Sequence, residues 1–124
     1  MDVPGIIARR FYVAGSLRST ADGFSLEAQN PMGRGTLTGL DRLAVDGQAI
    51  PLADLSAVRA SDGAVFDAAA VDRAHPISVG QGDRVTLQVR GVHLEPGDHR
   101  LELELDELNL GRLRLSLTDH LAPT

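Results

Sequence analysis

The sequence has no cysteine, no tryptophan and no lysine, and its 124 residues include only one tyrosine and three phenylalanines. Without cysteine there is no disulfide framework, no thiolate nucleophile and no cysteine-built zinc site. Phe11, Tyr12, Phe24 and Phe66 are too few to make a core, so leucine, valine, isoleucine and alanine must fill it. Sugar rings are commonly gripped by exposed tryptophan or tyrosine, so this composition weighs against a carbohydrate-binding face. All basic residues are arginine, and 12 of them stand against 17 acidic residues for a net charge of −5. That sign opposes a nucleic-acid partner. No apolar run approaches the ~18 residues of a membrane-spanning helix. Met1-Asp2-Val3-Pro4-Gly5 lacks the basic stretch and apolar run of a signal peptide. A cytoplasmic location is the expectation.

What is present is alternation. Val85, Leu87 and Val89 alternate with Arg84, Thr86, Gln88 and Arg90. Beyond Pro96-Gly97-Asp98, Leu101, Leu103 and Leu105 alternate with Arg100, Glu102, Glu104 and Asp106. Beyond Asn109-Leu110-Gly111, Leu113, Leu115 and Leu117 alternate with Arg112, Arg114, Ser116 and Thr118. Leucine and glutamate favour helix, but apolar residues two apart would wrap around a helix instead of forming one stripe. The pattern predicts three strands, each with one apolar and one polar face. Antiparallel pairing of the last two would put Glu102, Glu104 and Asp106 on one wet face with Arg112 and Arg114. Each such cross-strand pair contributes roughly 0.2–1 kcal/mol and helps to fix register.

Upstream, Ile6 to Ala14 reads as an edge strand. Adjacent residues of a strand point to opposite faces, so Phe11 and Tyr12 could not both enter one core. Asp22-Gly23, Asp46-Gly47 and Asp62-Gly63 are hairpin-type turn signals. Asn30-Pro31-Met32-Gly33-Arg34-Gly35 is a loop, because proline and two glycines forbid a regular element. Leu52–Leu55 and Asp67–Val71 are long enough for a helical turn only. The reading is one all-β domain over residues 1–124, a sandwich of about eight to ten short, mostly antiparallel strands.

Chemistry-bearing patterns are weak. His93 and His99 flank Glu95-Pro96-Gly97-Asp98 and could share a metal across a hairpin mouth with Glu95 or Asp98; solvated turn histidines are the commoner outcome. Asp119-His120 would need a third group to act as a catalytic pair. Gly33-Arg34-Gly35 and Gly80-Gln81-Gly82 are turns, since neither joins a strand to a long helix. No catalytic, cofactor-binding or metal-ligating residue is assigned in this chain.

Several phrases of the chain are shared with a known family. They include Gly23-Phe24-Ser25-Leu26 with Asn30, Gly35-Thr36-Leu37-Thr38-Gly39-Leu40 and Val45-Asp46-Gly47. Later come Val85-Thr86-Leu87-Gln88-Val89-Arg90-Gly91, Leu94-Glu95-Pro96-Gly97-Asp98-His99 and Gly111-Arg112-Leu113-Arg114. In this order they resemble the small β subunit of bacterial C-glycoside deglycosidases. The resemblance implies a non-catalytic accessory subunit of a heteromeric lyase. Its large α subunit would be a sugar-isomerase-like TIM barrel carrying a divalent metal. That partner would cleave the C–C bond of 3-oxo-C-glucosides of polyphenols by base- and metal-assisted elimination. A β-sandwich module binding a sugar or a protein by itself is the alternative. For a partner interface, Phe11, Tyr12, Arg18, Met32 and Arg34 are the candidates, because aromatic residues, methionine and arginine are enriched at interface cores.

Overall fold

The structure, a computed structural model, describes residues 1–123. Thr124, the last residue of the expected single domain, lies outside the described residues. The C-terminal alternation builds the longest hairpin, β9 (Gly97–Glu107) and β10 (Gly111–Leu121). They pair antiparallel with Leu113 opposite Leu105, Leu115 opposite Leu103 and Leu117 opposite Leu101. On the other face Arg112 meets Asp106 at 3.1 Å and Arg114 meets Glu104 at 2.9 Å. Apolar and charged residues are therefore sorted by the pleat as the alternation predicts.

Beside β9 lies β3 (Gly35–Val45), followed by the short β4 (Gln48–Ala49). Between them Asp46 and Gly47 both have positive φ, at 52° and 84°, the backbone that a two-residue hairpin of matching twist demands. One sheet runs β10-β9-β3-β4. The second consists of β1 (Arg18–Ser19), β2 (Gly23–Gln29), β5 (Leu55–Arg59), β6 (Val65–Asp67) and β8 (Arg84–Arg90), in the order β1-β2-β8-β5-β6. β7 (Ile77–Val79) pairs with the start of β3. Single 3-10 turns at Leu52–Asp54 and Ala68–Ala70 stand where the two short helical runs were expected. The sheets face each other across one apolar core, with Phe24, Leu43, Leu55, Ile77, Leu121 and Val89 its largest fully buried side chains. The fold is all-β.

The N-terminal stretch departs from expectation. Residues 1–3 do add along the edge of β10, with Val3 N–H donating to Arg114 O at 2.9 Å. Pro4 has no N–H to continue that ladder, and its carbonyl instead accepts from Ile7 and Ala8. The chain turns into the helix α1 (Gly5–Phe11). Ala8 and Phe11, three apart and so on one helical face, pack with Leu113 and Leu115. Ile6 and Ile7 are left on the surface, 83% and 43% exposed. The β-branched pair favours strand by propensity; burial of Ala8 and Phe11 outweighs it.

Candidate binding cavity between the sheets

Two alanines, Ala28 and Ala57, stand at inward-facing positions of the second sheet. In the second sheet Phe24, Val89 and Leu55 form one inward-facing row, and Leu26, Leu87 and Ala57 form the next. Ala28 and Val85 form the middle of the last, between Tyr12 and Arg59. Facing them, Leu103 and Leu105 of the central strand β9 point inward but are only half-buried, as are Leu37 and Leu117. Protein interiors are ordinarily packed without voids of this size. Here the deficit leaves a cavity of about 400 Å³ lined by residues of both sheets, among them Leu26, Ala28, Leu87, Leu103 and Leu105. Its mouth lies at the end where β2 leaves for β3 and β9 turns into β10, beside Phe11, Met32, Arg34 and Leu110.

Four of the five residues expected at an interface, Phe11, Tyr12, Met32 and Arg34, line this one cavity. Met32 and Arg34 are exposed and Phe11 is half-buried. Tyr12 is instead buried, at 8% exposure, so of the adjacent aromatic pair it is Phe11 that lies nearer the surface. Arg18 stands elsewhere, on β1, 3.8 Å from Glu27.

The Tyr12 hydroxyl donates to Asp119 Oδ2 at 2.5 Å, and the Gly15 and Leu17 N–H groups donate to the same carboxylate at 3.2 Å each. Burial works to raise the Asp119 carboxyl, but these bonds outweigh it and hold it below the usual carboxylate range. Tyr12 moves the other way: burial first, then its bond to Asp119, raises the phenol well above its ordinary range. Consecutive strand residues face opposite ways, so His120 lies on the other side and meets Asp98 at 2.8 Å. The Asp119-His120 pair does not form.

His99 is buried, contrary to its reading as a turn histidine. Its Nδ1 lies 2.7 Å from Asp46 Oδ2 and its Nε2 2.6 Å from the Glu95 carbonyl. Both partners only accept, so both ring nitrogens donate and the imidazolium is favoured. The Glu95 carbonyl, followed by the Asp46 carboxylate, raises the His99 pKa. Among the described residues no three His, Cys, Asp or Glu side chains converge to hold a metal, so the His93/His99 grouping does not assemble. Asp46-Gly47 was legible as a turn, but its role as the histidine's anchor was not, since 53 residues separate the pair.

On the outer face of the β9 sheet, a register shift after Leu40 in β3 brings Asp41 beside Asp106 and Arg112. Burial, then the Asp106 carboxylate, raises the Asp41 carboxyl, while the Arg112 guanidinium 3.4 Å away opposes the rise. Gly39 makes room for this cluster, for a Cβ there would lie 3.0 Å from oxygens of both Asp41 and Asp106. A second, open hollow is lined by Arg34, Arg59, Asp62 and Asp83. Its Arg59 is already engaged, at 2.7 Å from Asp62, and the Arg59 guanidinium brings the Asp62 carboxyl down to about 2.

Two antiparallel sheets around an apolar hollow, with Asp119, His99 and Arg59 each bound to a neighbouring side chain, define an all-β sandwich with an accessible interior. The family described as hydroxymethylglutaryl-CoA reductase, N-terminal domain, matches residues 7–122, and the chain belongs to that family. No curated protein matches the chain. The family match overturns the resemblance to the small β subunit of C-glycoside deglycosidases, and with it the designation as part of such a lyase. The phrases behind that resemblance, such as Gly111-Arg112-Leu113-Arg114, lie in turns and alternating strands, a pattern that unrelated sandwiches share. Among the described residues no helix is long and apolar enough to cross a membrane.

Proposed function

We propose that this chain is a non-catalytic β-sandwich module that binds an apolar ligand and acts as an accessory to a larger catalytic partner. The observation that carries the reading is the cavity: an interior of leucine, valine and alanine open to solvent at one end of the strands. Ligand sites are concave, mostly apolar hollows of about 300–1,000 Å³, and this one falls in that range. Two of the groups a catalyst could use are held in structural bonds: Asp119 by Tyr12 and His99 by Asp46. An accessory role is supported by the family's description as an N-terminal domain and by the exposed Ile6 and Ile7 on α1, a surface that a partner would cover. The cytoplasm is the proposed location.

Titration of the folded protein with anilinonaphthalene sulfonate, followed by fluorescence, tests the binding reading. Saturable enhancement at one site per chain, with the circular dichroism of the fold unchanged, is the expected result. A titration that never rises above free dye contradicts it.

A further inference from the structure

We propose that the ligand of this cavity is an unbranched alkyl chain of medium length that ends in an oxygen acceptor, with the chain between the sheets and the oxygen at Arg34. This rests on the binding reading above and adds the ligand class to it.

The walls exclude hydroxyl-rich ligands. Leu26, Leu87, Leu103 and Leu105 offer no hydrogen bond, so the hydroxyls of a sugar inside would lose water without replacement. The course of the lining sets the shape. It runs along β2 from Ala28 to Leu26, along β8 from Val85 to Leu87 and along β9 from Leu105 through Leu103 to Leu101. The free space therefore extends along the strand direction from the mouth inward, as an extended chain requires.

The polar groups at the mouth decide the other end. Glu107 accepts from the Thr36, Asn109 and Leu110 N–H groups. The Asn30 side chain is spent on Gly33 O, Val79 O and the Met32 N–H. Asp83 is held by the Ser61 hydroxyl and the Arg84 N–H. Arg34 is exposed and is the one cationic side chain among the described residues that line the cavity. A carbonyl, hydroxyl or carboxylate oxygen can accept from its guanidinium, whereas an ammonium end can only donate, and the Asp83 and Glu107 carboxylates already accept from other groups.

The test is a methyl-resolved NMR titration of the whole chain with decanol, decanoate and decylammonium. Decanol and decanoate are expected to shift the methyl signals of Leu26, Leu103 and Leu105, with decylammonium at least tenfold weaker. Ala28→Leu, which fills the mouth row, is expected to lower decanol affinity at least tenfold while the melting temperature holds or rises. Should that variant misfold, Ala57→Val narrows the next row and is expected to weaken decanol in the same direction. Arg34→Gln should weaken decanoate more than decanol. Binding of the aromatic dye without binding of any alkyl probe would overturn the alkyl assignment and leave the binding reading standing. Decanol affinity unchanged in folded Ala28→Leu and Ala57→Val would overturn it as well.

Discussion

The Tyr12 hydroxyl and the Asp119 carboxylate meet at 2.5 Å across 107 residues of sequence, tying the segment after α1 to the last strand. Because the Gly15 and Leu17 N–H groups use the same carboxylate, this contact sets the path of the chain where it passes from one sheet to the other. Tyr12→Phe removes one donor to a partly buried charge and is expected to cost about 2 kcal/mol. Asp119 titrates below its ordinary 3.8 in the folded protein. Its stabilisation is therefore present above that pH and lost as pH falls through the folded value. Urea denaturation of both proteins at neutral and acid pH measures this, and the difference between them should shrink on acidification.

His99 gives the opposite pH dependence. Its folded pKa is raised above 6.5 by the Glu95 carbonyl and Asp46, so its contribution is full below 6.5 and is lost as pH rises through the folded value. The stability of the protein relative to His99→Gln should be largest in mild acid and decline towards alkaline pH. Parallel thermal melts across that range show the trend, and a constant difference would be inconsistent with it.

Gly23 marks a close backbone approach. A Cβ there would lie 2.1 Å from the carbonyl oxygen of Val89, and the two strands would have to separate. Gly23→Ala is expected to destabilise by about 3 kcal/mol, measured by chemical denaturation. Gly33, with open space around its Cβ position, serves as the control and should tolerate alanine with little change.

Asp41 faces the Asp106 carboxylate and has an unpaired, buried oxygen, Oδ2, among the described residues. Its raised pKa means that the ionised form is disfavoured in the fold. Asp41→Asn should therefore stabilise at neutral pH, and the gain should vanish once acid protonates Asp41 in the parent protein. Melts of the two proteins at pH 7 and in acid decide this; a loss of stability at pH 7 would show that the Arg112 ion pair dominates.

The alternation of Leu101–Leu105 against Leu113–Leu117 carried facing and the sharing of one wet face by the charges, because a one-residue slip would turn every leucine to the solvent side. Asp46-Gly47 was equally legible, since its turn is a local property. The helix at Gly5–Phe11 was not: it is decided by Pro4 ending the β10 edge ladder and by what Ala8 and Phe11 pack against. Nor was the cavity. Alternation says which residues face inward, but not whether inward side chains from two sheets fill the space between them. Ala28 and Ala57, small residues at inward positions, were the available signal. Phe11, Tyr12, Met32 and Arg34 were chosen for their residue types, and the structure gathers them around one hollow while turning Tyr12 inward.

The most direct test of an accessible apolar interior is xenon binding, followed through the leucine methyl signals of the folded chain under increasing gas pressure. Xenon occupies dry apolar cavities without needing a polar anchor. The account predicts progressive, saturating shifts at Leu26, Leu87, Leu103 and Leu105, with Leu108, exposed and outside the cavity lining, nearly unmoved. Interior methyls that respond no more than Leu108 would contradict it, and would mean that the two sheets close on each other in solution.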